Sequence, residues 1–243
     1  MNGAKPGNVR RKWRRWLARL NTELTTLVIS NEIFRRTAEI VRRNPSIQRP
    51  ADFHRWLVRS HGVASLVAVR RLMDRRKDVV SLRRLLDDIA SNHSALTRGS
   101  YVSFFEPDLK AWAHDQFDEI PGPASQNLPG EVPKRDLVDL QKRHERIRHL
   151  VNQQLAHLDA RNLRRKPPSA HDLEDVVGAM ESTFLKYQTL LTGKAASHLL
   201  PTWQYDWTEI FGRPWLVEEN GGACQPADHV AGPAAALRRR SAQ

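Results

Sequence analysis

The spacing of apolar residues restricts this chain more than any other feature. From Trp13 they recur at Trp16, Leu17, Leu20, Leu24, Leu27, Phe34, Ala38 and Val41, in steps of three and four, with Asn31 filling one slot. That period marks one long amphipathic helix. It ends near Asn44-Pro45, because a proline disfavours helical backbone in the residue before it. The same period predicts a second helix from about Asp52 to Lys77, with a stripe of Phe53, Trp56, Leu57, Val63, Ala64 and Val67 and with Asp52 as N-cap. A short third helix follows Ser81 through Leu82, Leu85, Leu86 and Ile89. Residues 95–132 hold a helical fragment from about Leu109 to Phe117, ahead of Pro121-Gly122-Pro123 and Pro129-Gly130. Those turn signals mark a surface excursion, with its loop near 118–133.

A further helix is expected from about Lys134 to Leu163, with Leu137, Leu140, Ile147, Val151, Leu155 and Leu158 near one face. Pro167-Pro168 breaks it. Ser169, with Asp172 three residues on, resembles a capping box for a helix reaching about Thr192. Two long helices joined by a short break predict an antiparallel hairpin. The fold class is therefore all-α, a bundle of long antiparallel helices in a single domain over 1–217. An aromatic segment, Trp203, Tyr205, Trp207, Phe211 and Trp215, closes that domain and either packs on the bundle or stacks on bases. Residues 218–243 turn to Gly, Ala and Pro and close on Arg238-Arg239-Arg240, and are expected to form a disordered basic tail.

The formal charge is +12 and the isoelectric point is near 10.5, a field that attracts polyanions whatever the fold. Nucleic acid is the leading partner class. Of the 39 basic residues nine are lysine and thirty arginine, and the arginine fork grips phosphate through two hydrogen bonds. A compositional bias toward arginine is the competing explanation. The one cysteine, Cys224, excludes an internal disulfide and a cysteine-based zinc site and fits a reducing cytoplasm. No apolar run approaches the roughly 20 residues that span a bilayer. The basic N-terminus lacks the apolar stretch of a signal peptide. His144, His149, His171 and His198 are scattered without metal-ligand spacing, and no glycine-rich phosphate loop is present, so neither a metal nor a cofactor is expected. A helix-turn-helix reading lacks a short helix, tight turn and recognition helix.

The series opening Trp13-x-x-Trp16-Leu17, then Val69-Arg70-Arg71-x-x-Asp74, Ser81-Leu82-x-x-Leu85-Leu86-x-x-Ile89, Leu155-Ala156-His157-Leu158-Asp159 and Pro214-Trp215 resembles the AbiU-type branch of the HEPN superfamily, over roughly residues 10–216. The resemblance implies a HEPN helical bundle that commonly dimerises, in a family linked to abortive infection and toxin-antitoxin systems. It also implies RNA as the partner of a metal-independent endoribonuclease, with an antitoxin protein as a further partner. Active members carry an Arg-x4–6-His motif, often with a polar residue directly after the arginine. There the histidine exchanges protons with a ribose 2′-hydroxyl or the leaving oxygen, and the arginine stabilises the charged phosphorane.

His157 matches that histidine, but counting back by the commonest spacing places Val151 at the arginine position, followed by Asn152. The nearest upstream arginine, Arg148, lies about half a turn away around a straight helix and about 13.5 Å along it. Arg148 therefore serves His157 across a dimer or through a kink near Asn152. Arg161, four residues after His157, shares its face and is the other candidate phosphate clamp. Arg148, Asn152 and Asp159 share a face of their own and form either a polar seam between protomers or a solvated ion-pair seam. His157 as an ordinary interior histidine, in a HEPN module that binds RNA, a nucleotide or a protein without turnover, is the alternative. Arg10-Arg11-Lys12, Arg14-Arg15, Arg70-Arg71, Arg75-Arg76-Lys77 and Arg83-Arg84 would line a phosphate track if they converge. Arg70, Arg71, Arg75 and Arg76 are the residues expected on RNA.

Overall fold

A computed structural model describes residues 5–49, 51–120, 122–123, 125–150 and 170–214, with backbone alone at 148–150 and 170. Among these residues the fold is all-α: helix α1 is Pro6–Arg43, α2 Asp52–Leu72, α3 Leu82–Ser91, α4 Arg98–Val102, α5 Lys110–Asp118, α6 Glu131–Leu150 and α7 Ala170–Thr192. Of the described residues, those up to Pro201 belong to one compact unit and those from Thr202 to a second.

Helix α1 runs 38 residues, about 57 Å at 1.5 Å per residue. It starts seven residues before Trp13, at Pro6, where proline's fixed φ suits the first turn and its missing N–H costs nothing. It buries Val9, Trp13, Leu17, Leu20, Leu24 and Leu27 on the expected face, and toward its end Thr37 is buried where Ala38 was expected. Paired contacts fix the directions of its neighbours. Glu23 meets Arg71 at 3.1 Å, Asn31 accepts from Ser65 at 3.4 Å, and Phe34 stacks on His61 at 4.1 Å, so α2 runs antiparallel to α1. Asp136 accepts from Tyr187 at 2.7 Å, and Asp175 pairs with Arg143, so α6 and α7 form the predicted antiparallel hairpin.

Four expectations about the helices are corrected. Helix α2 ends at Leu72, because the Asp74 carboxylate accepts from the Arg76 backbone N–H at 2.8 Å and turns the chain. Its N-cap is Ala51, and Asp52 is the first helical residue, paired with Arg55. Its core face is Ser65, Leu66, Val69 and Leu72, whereas Phe53 and Trp56 are 50% and 62% exposed. Helix α6 starts at Glu131, ahead of Lys134, since Pro133 is accommodated in a first turn.

The stretch expected as a surface excursion contributes to the core. Ala95, Leu96, Tyr101, Val102, Ala113, Phe117 and Leu128 are all buried. Arg98 organises it. Its guanidinium donates to the Ser125 carbonyl at 3.1 and 3.0 Å, to the His114 carbonyl at 3.3 Å and to both Asp118 oxygens, while lying over the Phe117 ring. Its backbone N–H donates to the Gln126 carbonyl at 2.8 Å. One buried arginine thus satisfies the polar backbone of a loop that turn residues alone read as solvated.

Helix α3 lies between α1 and α6 and buries Leu82, Leu85, Leu86 and Ile89 completely, each worth about 1.5–3 kcal/mol relative to exposure. Its N-cap is Ser81, whose hydroxyl accepts from the Arg84 N–H at 3.1 Å and donates to the Asp74 carbonyl at 2.7 Å. No helix among the described residues is long and apolar enough to cross a membrane. Ser169 and the tail from residue 215 lie outside the described residues.

Candidate functional site

Helix α6 carries the last described turns before the motif segment. Asn152, His157, Asp159 and Arg161 lie outside the described residues, and Arg148 is placed only as backbone in the final turn of α6. What leads into that segment is described, and it is rich in charge. Arg143 Nε donates to Asp139 at 2.9 Å and Arg143 Nη1 pairs with Asp175 of α7, while Arg146 reaches Asp175 at 3.5 Å. The hydrogen bond that Arg143 donates to Asp139, with Asp175 beside it, holds the Arg143 guanidinium above its ordinary pKa. Arg143 therefore clamps α6 to α7.

The Arg-x4–6-His spacing falls on this helix. Arg143 is followed directly by polar His144, and His149 lies after five intervening residues. A count anchored on His157 passes over this pair, although the signal is in the sequence. On a regular helix the two positions differ by about 120° in direction and about 9 Å in height.

Beside this stretch, between α3, α6 and the turn after α2, is a pocket of about 440 Å³ lined by Met73, Arg75, Arg83, Val138, Gln141, Lys142, His144 and Glu145. It begins from Arg83, which the helical phase of α3 turns toward α6. With the Gln141 amide oriented to satisfy both partners, its oxygen accepts from both Arg83 terminal nitrogens, at 2.6 and 2.8 Å. Arg83 Nε is buried and has no hydrogen-bond partner among the described residues, its nearest carboxylate being Asp87 at 3.8 Å. A buried donor left in that state costs roughly 1–3 kcal/mol. Burial pushes the Arg83 pKa down, the Arg75 charge pushes it the same way, and Asp87 pushes back. Two guanidinium groups, those of Arg75 and Arg83, thus line one cleft.

Of the four arginines expected on RNA, Arg75 alone lines this pocket. Arg71 is paired with Glu23, Arg76 with Asp74 at 3.2 Å, and Arg70 is exposed on the last turn of α2. The expected N-terminal phosphate track is largely spent on the fold. Arg10 donates to the Ala95 carbonyl at 2.8 Å, Lys12 pairs with Asp88 at 2.7 Å, and Arg14 donates to the Leu191 carbonyl at 2.8 Å and covers Phe104. Arg84 lies over the Trp16 ring and donates to the Val79 carbonyl. Sequence reading treated these as one class of surface cation, since an arginine that ties two helices together and one that faces water look alike in a string. Arg83 and Lys142 escaped as a pair because 59 positions separate them.

Among the described residues no group of three His, Cys, Asp or Glu side chains is placed to hold a metal ion. In the second unit, Trp203 and Trp207 have ring centroids 6.0 Å apart, and Trp207 and Phe211 6.3 Å, a stepped aromatic run along one tight turn.

A family model described as AbiU2, of the HEPN class, matches residues 10–209, from the first turns of α1 into that aromatic turn. No curated protein and no solved structure matches the chain.

Proposed function

Because the chain belongs to the AbiU2 family of HEPN domains, a family linked to abortive infection, we propose that it is a metal-independent endoribonuclease, a toxin-like component of such a system, acting on RNA as a homodimer. What supports the reading is the Arg-x5-His spacing of Arg143 and His149 on α6, beside a pocket lined by Arg75, Arg83, Lys142 and His144.

In the proposed reaction a histidine takes the proton of a ribose 2′-hydroxyl. The oxygen attacks the adjacent phosphorus, the bond from phosphorus to the 5′ oxygen breaks, and a proton is returned to that oxygen. The products are a 2′,3′-cyclic phosphate and a 5′-hydroxyl, with an arginine stabilising the charged phosphorane. Two imidazoles compete for the acid–base role: His149, with Arg143, and His157, with Arg148 or Arg161 on phosphate and Asn152 and Asp159 in support. An antitoxin protein would hold the activity in check.

A second reading, a HEPN module that binds RNA, a nucleotide or a protein without turnover, is favoured by one observation. Arg143 is engaged by Asp139 and Asp175, two carboxylates with which a phosphate would have to compete. The test is cleavage of a diverse RNA pool by the full chain in excess chelator, beside His149→Ala and His157→Ala. Activity lost in one variant and kept in the other identifies the acid–base residue. RNA binding with no cleavage by any of the three proteins decides for the second reading.

A further inference from the structure

We propose that the pocket between α3, α6 and the turn after α2 is a phosphate-binding site, with Arg83 as its half-buried anchor and Arg75 and Lys142 closing on the ligand from the rim. The inference does not require the nuclease reading, because a phosphate site serves catalysis and simple recognition equally.

Four observations carry it. The first is charge. Of the residues named as lining, Arg75, Arg83 and Lys142 are fixed cations against one carboxylate, Glu145, and His144 adds a further positive charge when protonated. The second is preorganisation. The Arg83 side chain is only 13% exposed, and Gln141 takes two of the five donors of its guanidinium fork, which fixes the plane of the fork. A planar, pre-set fork is the geometry that grips phosphate through parallel hydrogen bonds at low entropic cost. The third is an incomplete donor: Arg83 Nε is buried and has no hydrogen-bond partner among the described residues. The fourth is that Arg75 lines the same pocket as Arg83, whose one paired carboxylate among the described residues is Asp87, at 3.8 Å. Like charges gathered at a cleft are costly until an anion enters between them.

The volume, about 440 Å³, exceeds what a bare phosphate fills and falls within the range of small-molecule sites. Met73 and Val138 supply an apolar wall against which a sugar or base edge could rest. The recognised chemistry is therefore a phosphate carried on a larger body. It is either the terminal monoester of a nucleotide or a diester within a single-stranded RNA.

The test uses the full chain at low salt with three probes: inorganic phosphate, adenosine 5′-monophosphate, and a 2′-O-methylated RNA octamer that the proposed nuclease chemistry cannot cut. Binding is followed by calorimetry, and amide shifts on phosphate titration locate the site. Wild-type protein should bind at least one organic probe, with shifts concentrated at Arg75, Arg83, Gln141 and Lys142. Arg83→Met should weaken that binding tenfold or more. Because Arg83 is half-buried and bonded to Gln141, the paired rim variants Arg75→Ala and Lys142→Ala, both at exposed positions, test the site without burdening the fold. Each should weaken binding several-fold, while Arg59→Ala, on the exposed side of α2, leaves it unchanged.

Monophosphate binding without octamer binding assigns a monoester site, and the reverse assigns a diester site. Absence of binding by all three probes overturns the proposal, as does binding that survives both rim variants. His157→Ala and His149→Ala should keep phosphate binding whatever they do to cleavage, so failure of the nuclease reading and failure of this site are separable.

Discussion

Tyr187 shows how much of this fold rests on single polar contacts within apolar surroundings. Its ring is fully buried, and its hydroxyl donates to Asp136 at 2.7 Å, which also receives Lys186 at 2.5 Å. Burial, reinforced by the Asp136 charge, pushes the phenol far above its usual pKa, so it remains a donor at any working pH. Tyr187→Phe removes a hydrogen bond to a charged acceptor and should cost about 1.5–3 kcal/mol in urea unfolding. A cost below about 0.5 kcal/mol would show the contact to be incidental. Asp118 makes a different prediction. Its hydrogen bonds from Arg98 hold the carboxyl below the ordinary range. The stability it contributes is complete above the unfolded carboxylate pKa of about 4 and is lost as pH falls through the lower folded value. Asp118→Asn should therefore flatten the acid limb of a plot of Tm against pH and leave its slope near neutrality unchanged. None of these partnerships is legible in the sequence, since 51 positions separate Tyr187 from Asp136 and 20 separate Arg98 from Asp118.

At the scale of elements, ends are set by side chains that compete with the helix for backbone groups. Ser81 is buried and joins the turn after α2 to the start of α3. Ser81→Ala should destabilise by about 1–2 kcal/mol, the loss of a good N-cap. Gly193, just past α7, has φ +69°, and a Cβ there would lie 2.6 Å from Phe104 Cβ. Gly193→Ala should lower Tm, with a cost of about 1–3 kcal/mol from strained backbone and crowding together. Thermal melts of the two variants check both. The start of α3 after Ser81 and the end of α7 near Thr192 were legible because the apolar period begins or stops locally at each. The core face of α2 was not. Phe53, Trp56 and Val67 form a stripe on roughly the opposite side of the helix from Ser65, Leu66, Val69 and Leu72. Both are helical stripes, and only the position of α1 decides which one is covered.

For the molecule as a whole, the helical period of the apolar residues was enough for an antiparallel bundle, because α1, α6 and α7 each bury one continuous face. The site was legible only in outline. Net charge raises the expectation of an anionic partner, but it does not say which of the cations the fold would consume. Arg10, Lys12, Arg14 and Arg98 hold helices and loops together, leaving Arg75, Arg83 and Lys142 around one cleft. If RNA enters that cleft, its affinity falls with salt, by about 0.7 in log K per log unit of salt for each phosphate neutralised. Arg75→Ala with Lys142→Ala, which together close on one phosphate, should lessen that slope by about 0.7.

The most direct test of the account is the chemistry of the RNA ends made in excess chelator. The proposed attack by a 2′-hydroxyl predicts 2′,3′-cyclic phosphates and 5′-hydroxyls, full resistance of a 2′-O-methylated substrate, and loss of cleavage in His149→Ala or His157→Ala. Cleavage of the methylated substrate, cleavage that survives both substitutions, or no cleavage across diverse RNAs would contradict it.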